Sequence, residues 1–238
     1  MSPRVRVVNV VEAIAEDLRS RLFDGSLEPG TLVTEALVAE TYDVARPTGK
    51  AAIEKLVGEG LLDRDAHKSA RVRALDARDV RDIYRTRAML EASVLRRLAE
   101  ARTVSPQAHA ANQEISALRD ASALEVVDPD MRFHLALIDA LDSERTSRMY
   151  RSLVGEVRMC MAQVQGRSLL PTALIHAEHA RLLELVTAGD GEGAAELLHE
   201  HLARARERLV AKLGGAPGPE AALIDEPAWV EHTGTADG

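Results

Sequence analysis

Between Asp76 and Leu213 the chain carries no strand signal at all. Apolar residues recur there at helical spacing, as in Ile83, Leu90, Val94 and Leu98, which is the pattern of a helix burying one stripe. The stripe is interrupted at "TVSPQ", "VVDPD" and "AGDGEG". Ser105 with Pro106, and Asp128 with Pro129, read as N-cap and first-turn pairs that restart helices. The spacing predicts helices over about 129–141, 144–165, 172–188 and 191–212, behind a long helix begun by Asp76 or Asp79. A stretch this long with only helical periodicity packs as a bundle, here of about six helices. Aromatics are 3% of the chain while hydrophobic residues are 46%, so Leu, Ala and Val must fill the core, a mix that suits helix on helix.

The first 75 residues are organised differently. A helix over about 8–23 ends at Asp24-Gly25, and "SLEPG" is a turn. Thr34 caps a short helix ending near Thr41. Pro47 opens another, which stops at Gly60. "LLDRD" and "ARVRAL" read as two short strands around "AHKS". Helix, helix, tight turn, helix and a basic hairpin make a winged helix-turn-helix pattern, whose second helix enters the major groove N-terminus first. Arg46, Thr48 and Lys50 occupy that leading turn, and Lys68 and Arg71 lie on or beside the wing. The plain alternative is a small helical domain with ordinary surface charge.

The fold expected is therefore mainly α: a winged helix-turn-helix over 1–75, an all-helical domain over 76–213, and a flexible acidic tail over 214–238. Net charge is −8, which argues against coating nucleic acid by bulk charge. The charge is unevenly spread. Residues 1–75 hold 11 basic and 12 acidic residues, whereas 214–238 hold 5 acidic and no basic ones. One cysteine, Cys160, excludes an intrachain disulfide. The N-terminal apolar run is too short and broken for a signal peptide, and no run approaches the ~20 apolar residues of a membrane span. A cytoplasmic protein is expected.

One stretch of the bundle is chemically odd. "DPDMRFHLALIDALD" places Asp130 and His134 four residues apart, on one face of an apolar helix. His179 lies eleven residues before the turn at Asp190, and His201 eleven after it. Helices rising ~1.5 Å per residue bring two such positions to one height in an antiparallel pair. One Asp and three His from three helices, converging inside a bundle, make a metal site. Each residue also has a plainer explanation. A lone His near an apolar face is commonly a hydrogen-bonded core residue, and Asp130 near a helix N-terminus would favour the dipole.

These residues carry a resemblance. "LFDGSLEPGTLVTEALVAETYDVARPTGKAAIEKLVGEGLL" resembles the winged-helix domain of GntR-family bacterial transcription regulators. Arg46 stands at the family's arginine and Lys50 replaces its second one, keeping charge without bidentate geometry. Ala45 replaces the usual Ser cap, and Gly49 and Ala51 replace Val and Glu. "RTRAMLEASVLRRLAE" and "EHARLLELVTAGDGEGAAELLHEHL" resemble the FCD ligand-binding domain of the FadR-type branch.

The resemblance implies a dimeric DNA-binding regulator, expected to be a repressor on an inverted-repeat operator. It implies a divalent metal at Asp130, His134, His179 and His201; zinc is expected, with nickel, manganese and iron as alternatives. It further implies a small organic acid effector at that metal, with Arg87 as a second carboxylate anchor. An i,i+4 ion pair with Glu91 is the other reading of Arg87. The rival function is a metal-dependent hydrolase using the same Asp/His3 set. No general base is apparent for it, and it leaves the N-terminal module unexplained, so no enzyme is expected.

Overall fold

The computed structural model describes residues 9–64, 69–118, 121–163 and 169–224. The chain divides into two compact units, Met1–Leu75 and Asp76–Gly238.

In the first unit, α1 (Val10–Phe23) buries Ile14, Leu18 and Leu22, a 3.6-residue stripe. Pro29 and Gly30, the latter at φ +81°, turn the chain into β1 (Leu32–Val33). Thr34 caps α2 (Glu35–Thr41), accepting the Leu37 N–H at 3.1 Å. The next helix, α3 (Arg46–Gly58), follows Ala45, which offers no side-chain cap. Gly49 sits where α3 presses on α2; a Cβ there would lie 3.2 Å from both the Glu35 carbonyl and Val38 Cγ1. The wing is a three-stranded antiparallel sheet in the order β1-β3-β2, with β2 at Leu62–Asp63 and β3 at Ala70–Val72. Sequence reading finds the β2 and β3 segments but not β1, since two residues are too short to show alternation.

The second unit holds six α-helices among its described residues: α4 (Ala77–Ala101), α5 (Pro106–Ala117), α6 (Ala123–Asp139), α7 (Glu144–Gln163), α8 (Thr172–Ala188) and α9 (Gly191–Lys212). Asp76 and Asp79 form a reciprocal capping box that starts α4. Gly189, at φ +85°, ends α8, and Asp190 then caps α9 by accepting the Gly193 N–H at 2.9 Å. The longest packing interface is between α4 and α9.

Two expectations need correction. The helix carrying Asp130 does not start at Asp128. Ser122 and Glu125 form a capping box six residues earlier, and Pro129 lies inside α6. An interior proline costs about 3 kcal/mol. Against it stand the cap, about 1 kcal/mol, and burial of Val126 and Val127, about 1.5–3 kcal/mol each. The longer helix wins.

The tail beyond Leu213 is also not loose throughout. The Gly218 N–H donates to Glu207 Oε2 at 2.8 Å, Arg206 pairs with Glu220, and Arg81 donates to the Ala216 carbonyl. A 3₁₀ turn (Ala221–Ile224) packs on α9. The remainder of the expected tail, with Trp229, lies outside the described residues.

Candidate metal centre and nucleic-acid face

Asp130 and His134 project from α6, His179 from α8 and His201 from α9. One donor atom from each falls within 4.8 Å of every other. The imidazole centroids are 5.0–5.4 Å apart. Asp130 occupies the third turn of α6, beyond the first turn where the helix dipole acts. Its position is therefore not explained by the dipole.

The three histidines are buried, and their protonation is arranged. His134 Nδ1 lies 2.6 Å from Glu91 Oε2, and His201 Nδ1 lies 2.7 Å from Glu178 Oε2. Burial raises both carboxyl pKa values, but hydrogen bonds and neighbouring cations outweigh it and keep both groups ionised. For Glu91 the groups that lower it are His134, Arg87 and Tyr150; for Glu178 they are His201 and Arg204. An ionised carboxylate at Nδ1 fixes the N–H there and leaves the Nε2 lone pair facing inward.

His179 is held otherwise. Phe133 stacks on its ring at 3.7 Å and 4°. Burial, with His201 and His134 nearby, pushes its pKa well below the ordinary range, so it is neutral.

The Nε2 atoms of His134 and His179 have no hydrogen-bond partner among the described residues. They stand 3.9 and 3.5 Å from Asp130 Oδ1. A buried unsatisfied nitrogen costs roughly 1–3 kcal/mol. Two of them beside a carboxylate fit a cation. Bonds of ~2.0–2.1 Å to each nitrogen would draw the four donors closer together than the 4.8 Å that bounds them here.

Arg87 makes the i,i+4 ion pair with Glu91 that its sequence context allowed. Its Nε donates to Glu91 Oε1 at 3.0 Å, while its Nη2 has no partner among the described residues. Tyr150, on α7, donates to the same Glu91 oxygen at 2.6 Å. Arg87, Asp130 and His201 share the lining of a cavity of about 40 Å³, room for ~3 waters or one carboxylate.

In the N-terminal unit, Arg46 is exposed at the head of α3 and makes no hydrogen bond or ion pair among the described residues. Thr48 is half-buried in the same turn. Lys50 is exposed, its Nζ 3.6 Å from Glu54. Arg71 is exposed on β3 and donates to the Gly30 carbonyl. Lys68 lies outside the described residues. Two neighbouring cations are occupied within the unit: Lys55 by Glu12, and Arg64 by Glu35 at 2.7 Å.

The bacterial regulatory proteins of the gntR family match residues 10–72, and the FCD domain matches residues 82–204, more than half of the chain. The chain is a GntR-family regulator with an FCD domain.

Among relatives of this GntR protein is the HTH-type transcriptional regulator BphR of Paraburkholderia xenovorans (strain LB400). It is 27% identical, over 84% of this chain and 85% of BphR. The gluconate operon transcriptional repressor of Bacillus subtilis (strain 168) is 26% identical over 59% and 58%. A GntR transcriptional regulator from Rhodococcus sp. RHA1 has the same fold, with a TM-score of 0.72 at 22% identity over 84% and 97%. GntR regulators bind DNA operators and usually act as dimers. The family is one of transcription regulators rather than enzymes, and nothing in it supports the hydrolase alternative. No helix among the described residues is long and apolar enough to cross a membrane.

Within the FCD domain, sequence reading missed Glu178, Tyr150 and Arg204 as members of the buried network. Glu178 carries one signal, standing beside His179 in "EH". Arg204 carries another, standing three residues after His201 on one face of α9, whereas Tyr150 carries none, since it lies on a helix with no donor.

Proposed function

We propose that this protein is a cytoplasmic repressor that binds an inverted-repeat operator as a homodimer and is controlled by a small organic acid held at a metal in its FCD domain. The observation that carries the reading is the Asp130–His134–His179–His201 cluster, its histidines buried and three of their ring nitrogens lacking partners among the described residues. Those four residues would hold a divalent ion, zinc first, with nickel, manganese or iron as alternatives. When bound, the ion supplies the positive charge that draws in a carboxylate. Glu91 and Glu178 orient two of the imidazoles, and Arg87 offers its unpartnered Nη2 as a second contact.

At the other unit, Arg46, Thr48 and Lys50 read the major groove from the head of α3, and Lys68 and Arg71 meet the backbone from the wing. The effector acts by binding two states of the dimer unequally. The repressor reading is supported by the relative named a repressor.

The test is elemental analysis and mass spectrometry of natively purified protein, followed by operator gel shifts with and without the acid recovered. One equivalent of metal per chain and an acid-dependent shift are expected. Metal-free protein that stays folded and keeps the same DNA affinity in all conditions would sink the proposal.

A further inference from the structure

The cavity beside the donor cluster constrains the acid that can occupy it. Among the described residues, its polar lining is confined to Tyr84, Arg87, Asp130 and His201. These gather at one end: Asp130 and His201 belong to the donor set, Arg87 shares Glu91 with His134, and the Arg87 guanidinium lies 5.1 Å from the Tyr84 ring centre. The rest of the wall is apolar, including Val127, Leu170, Ile175 and Leu202, all buried. Leu170 and Ile175 belong to a packed core cluster with Ile115 and Leu174, so this part of the wall is held apolar among the described residues.

Charge is limiting too. A divalent ion and Arg87 face the carboxylates of Asp130 and Glu91, and Glu178 is balanced by Arg204. One positive charge is left over, enough for a single carboxylate. A second carboxylate, or a row of hydroxyls, would be buried against Val, Leu and Ile without partners.

We propose that the effector is a short monocarboxylate with an apolar body, its head toward Arg87 and the Asp130–His201 end and its body against Val127, Leu170 and Ile175, and that sugar acids and dicarboxylates are rejected. This rests on the organic-acid reading above and narrows it.

The test is calorimetric titration of zinc-loaded full-length protein with acetate, butyrate, succinate and threonate. The last three share a four-carbon chain. Butyrate is expected to bind roughly 10-fold more tightly than acetate, from two buried methylenes at ~0.8 kcal/mol each. It is expected to exceed threonate and succinate by about 10- to 100-fold. Threonate or succinate binding as tightly as butyrate would overturn the proposed class while leaving an organic-acid effector in place. Failure of all four acids to bind protein that retains zinc would overturn both.

Val127→Thr adds a hydroxyl at nearly constant shape. It is expected to narrow the butyrate-to-threonate ratio by about 3-fold or more while acetate binding stays put. An unchanged ratio, in a variant with parental zinc content and melting temperature, would refute this placement of the apolar wall.

Discussion

Arg46 and Arg87 are the same residue type used in opposite ways. Arg46 stands in solvent at the head of α3, with no partner among the described residues. Arg87 is 1% exposed, bonded to Glu91 at 3.0 Å and lying over the Tyr84 ring. The contrast extends to their surroundings. The DNA-binding unit keeps Arg46, Lys50 and Arg71 outward, where the desolvation cost is met only when DNA arrives. The FCD domain meets that cost on folding, through buried pairs of carboxylates and cations. An exposed charge can be removed without harming the fold, whereas a buried one cannot.

The contrast can be broken at several points. The largest effect on folding is expected from Glu91→Ala, which strands Arg87 and frees His134. Urea denaturation should show a loss of about 3–5 kcal/mol, and a loss under 1 kcal/mol would mean that the buried pair is not the constraint argued here. His179→Ala should weaken zinc binding by more than the ~100-fold typical of losing an outer partner. Competition with a chromogenic chelator measures it, and parental affinity would remove His179 from the donor set.

Arg46→Ala should do the reverse. Gel shifts on the operator should lose about 10- to 100-fold, while the unfolding free energy moves by less than ~0.5 kcal/mol. A destabilised Arg46→Ala would erase the distinction between the two arginines. Smallest of all, Ser122→Ala should cost about 1 kcal/mol, read as a lower denaturation midpoint. No change there would mean that burial of Val126 and Val127 alone carries α6 through Pro129.

Much of this was legible beforehand. The helix start at Asp76 and the turn within "AGDGEG" are local chemistry, and they appear where the residues predict them. The Asp130–His134 spacing and the symmetry of His179 and His201 about Asp190 follow from helical rise alone. The start of α6 was misread because two local signals competed. "VVDPD" looks like a cap and first turn, and so does Ser122 with Glu125. Only burial of the intervening valines decides between them. The tail was misread because its composition is that of a linker, whereas Glu207, on α9, captures the Gly218 N–H.

By itself, then, the amino-acid order determined where most helices lie, that two kinds of module meet near residue 75, that Asp130 and His134 share a face, and that His179 and His201 share a height. Those features depend on neighbours within a few residues, or on a fixed rise per residue. Tertiary packing alone decided that Glu91 and Glu178 lock two imidazole tautomers, that Tyr150 and Arg204 complete the buried network, and that the space beside the donors is walled by Val, Leu and Ile. Such contacts join residues tens of positions apart, and their geometry exists only once the helices have excluded water between them.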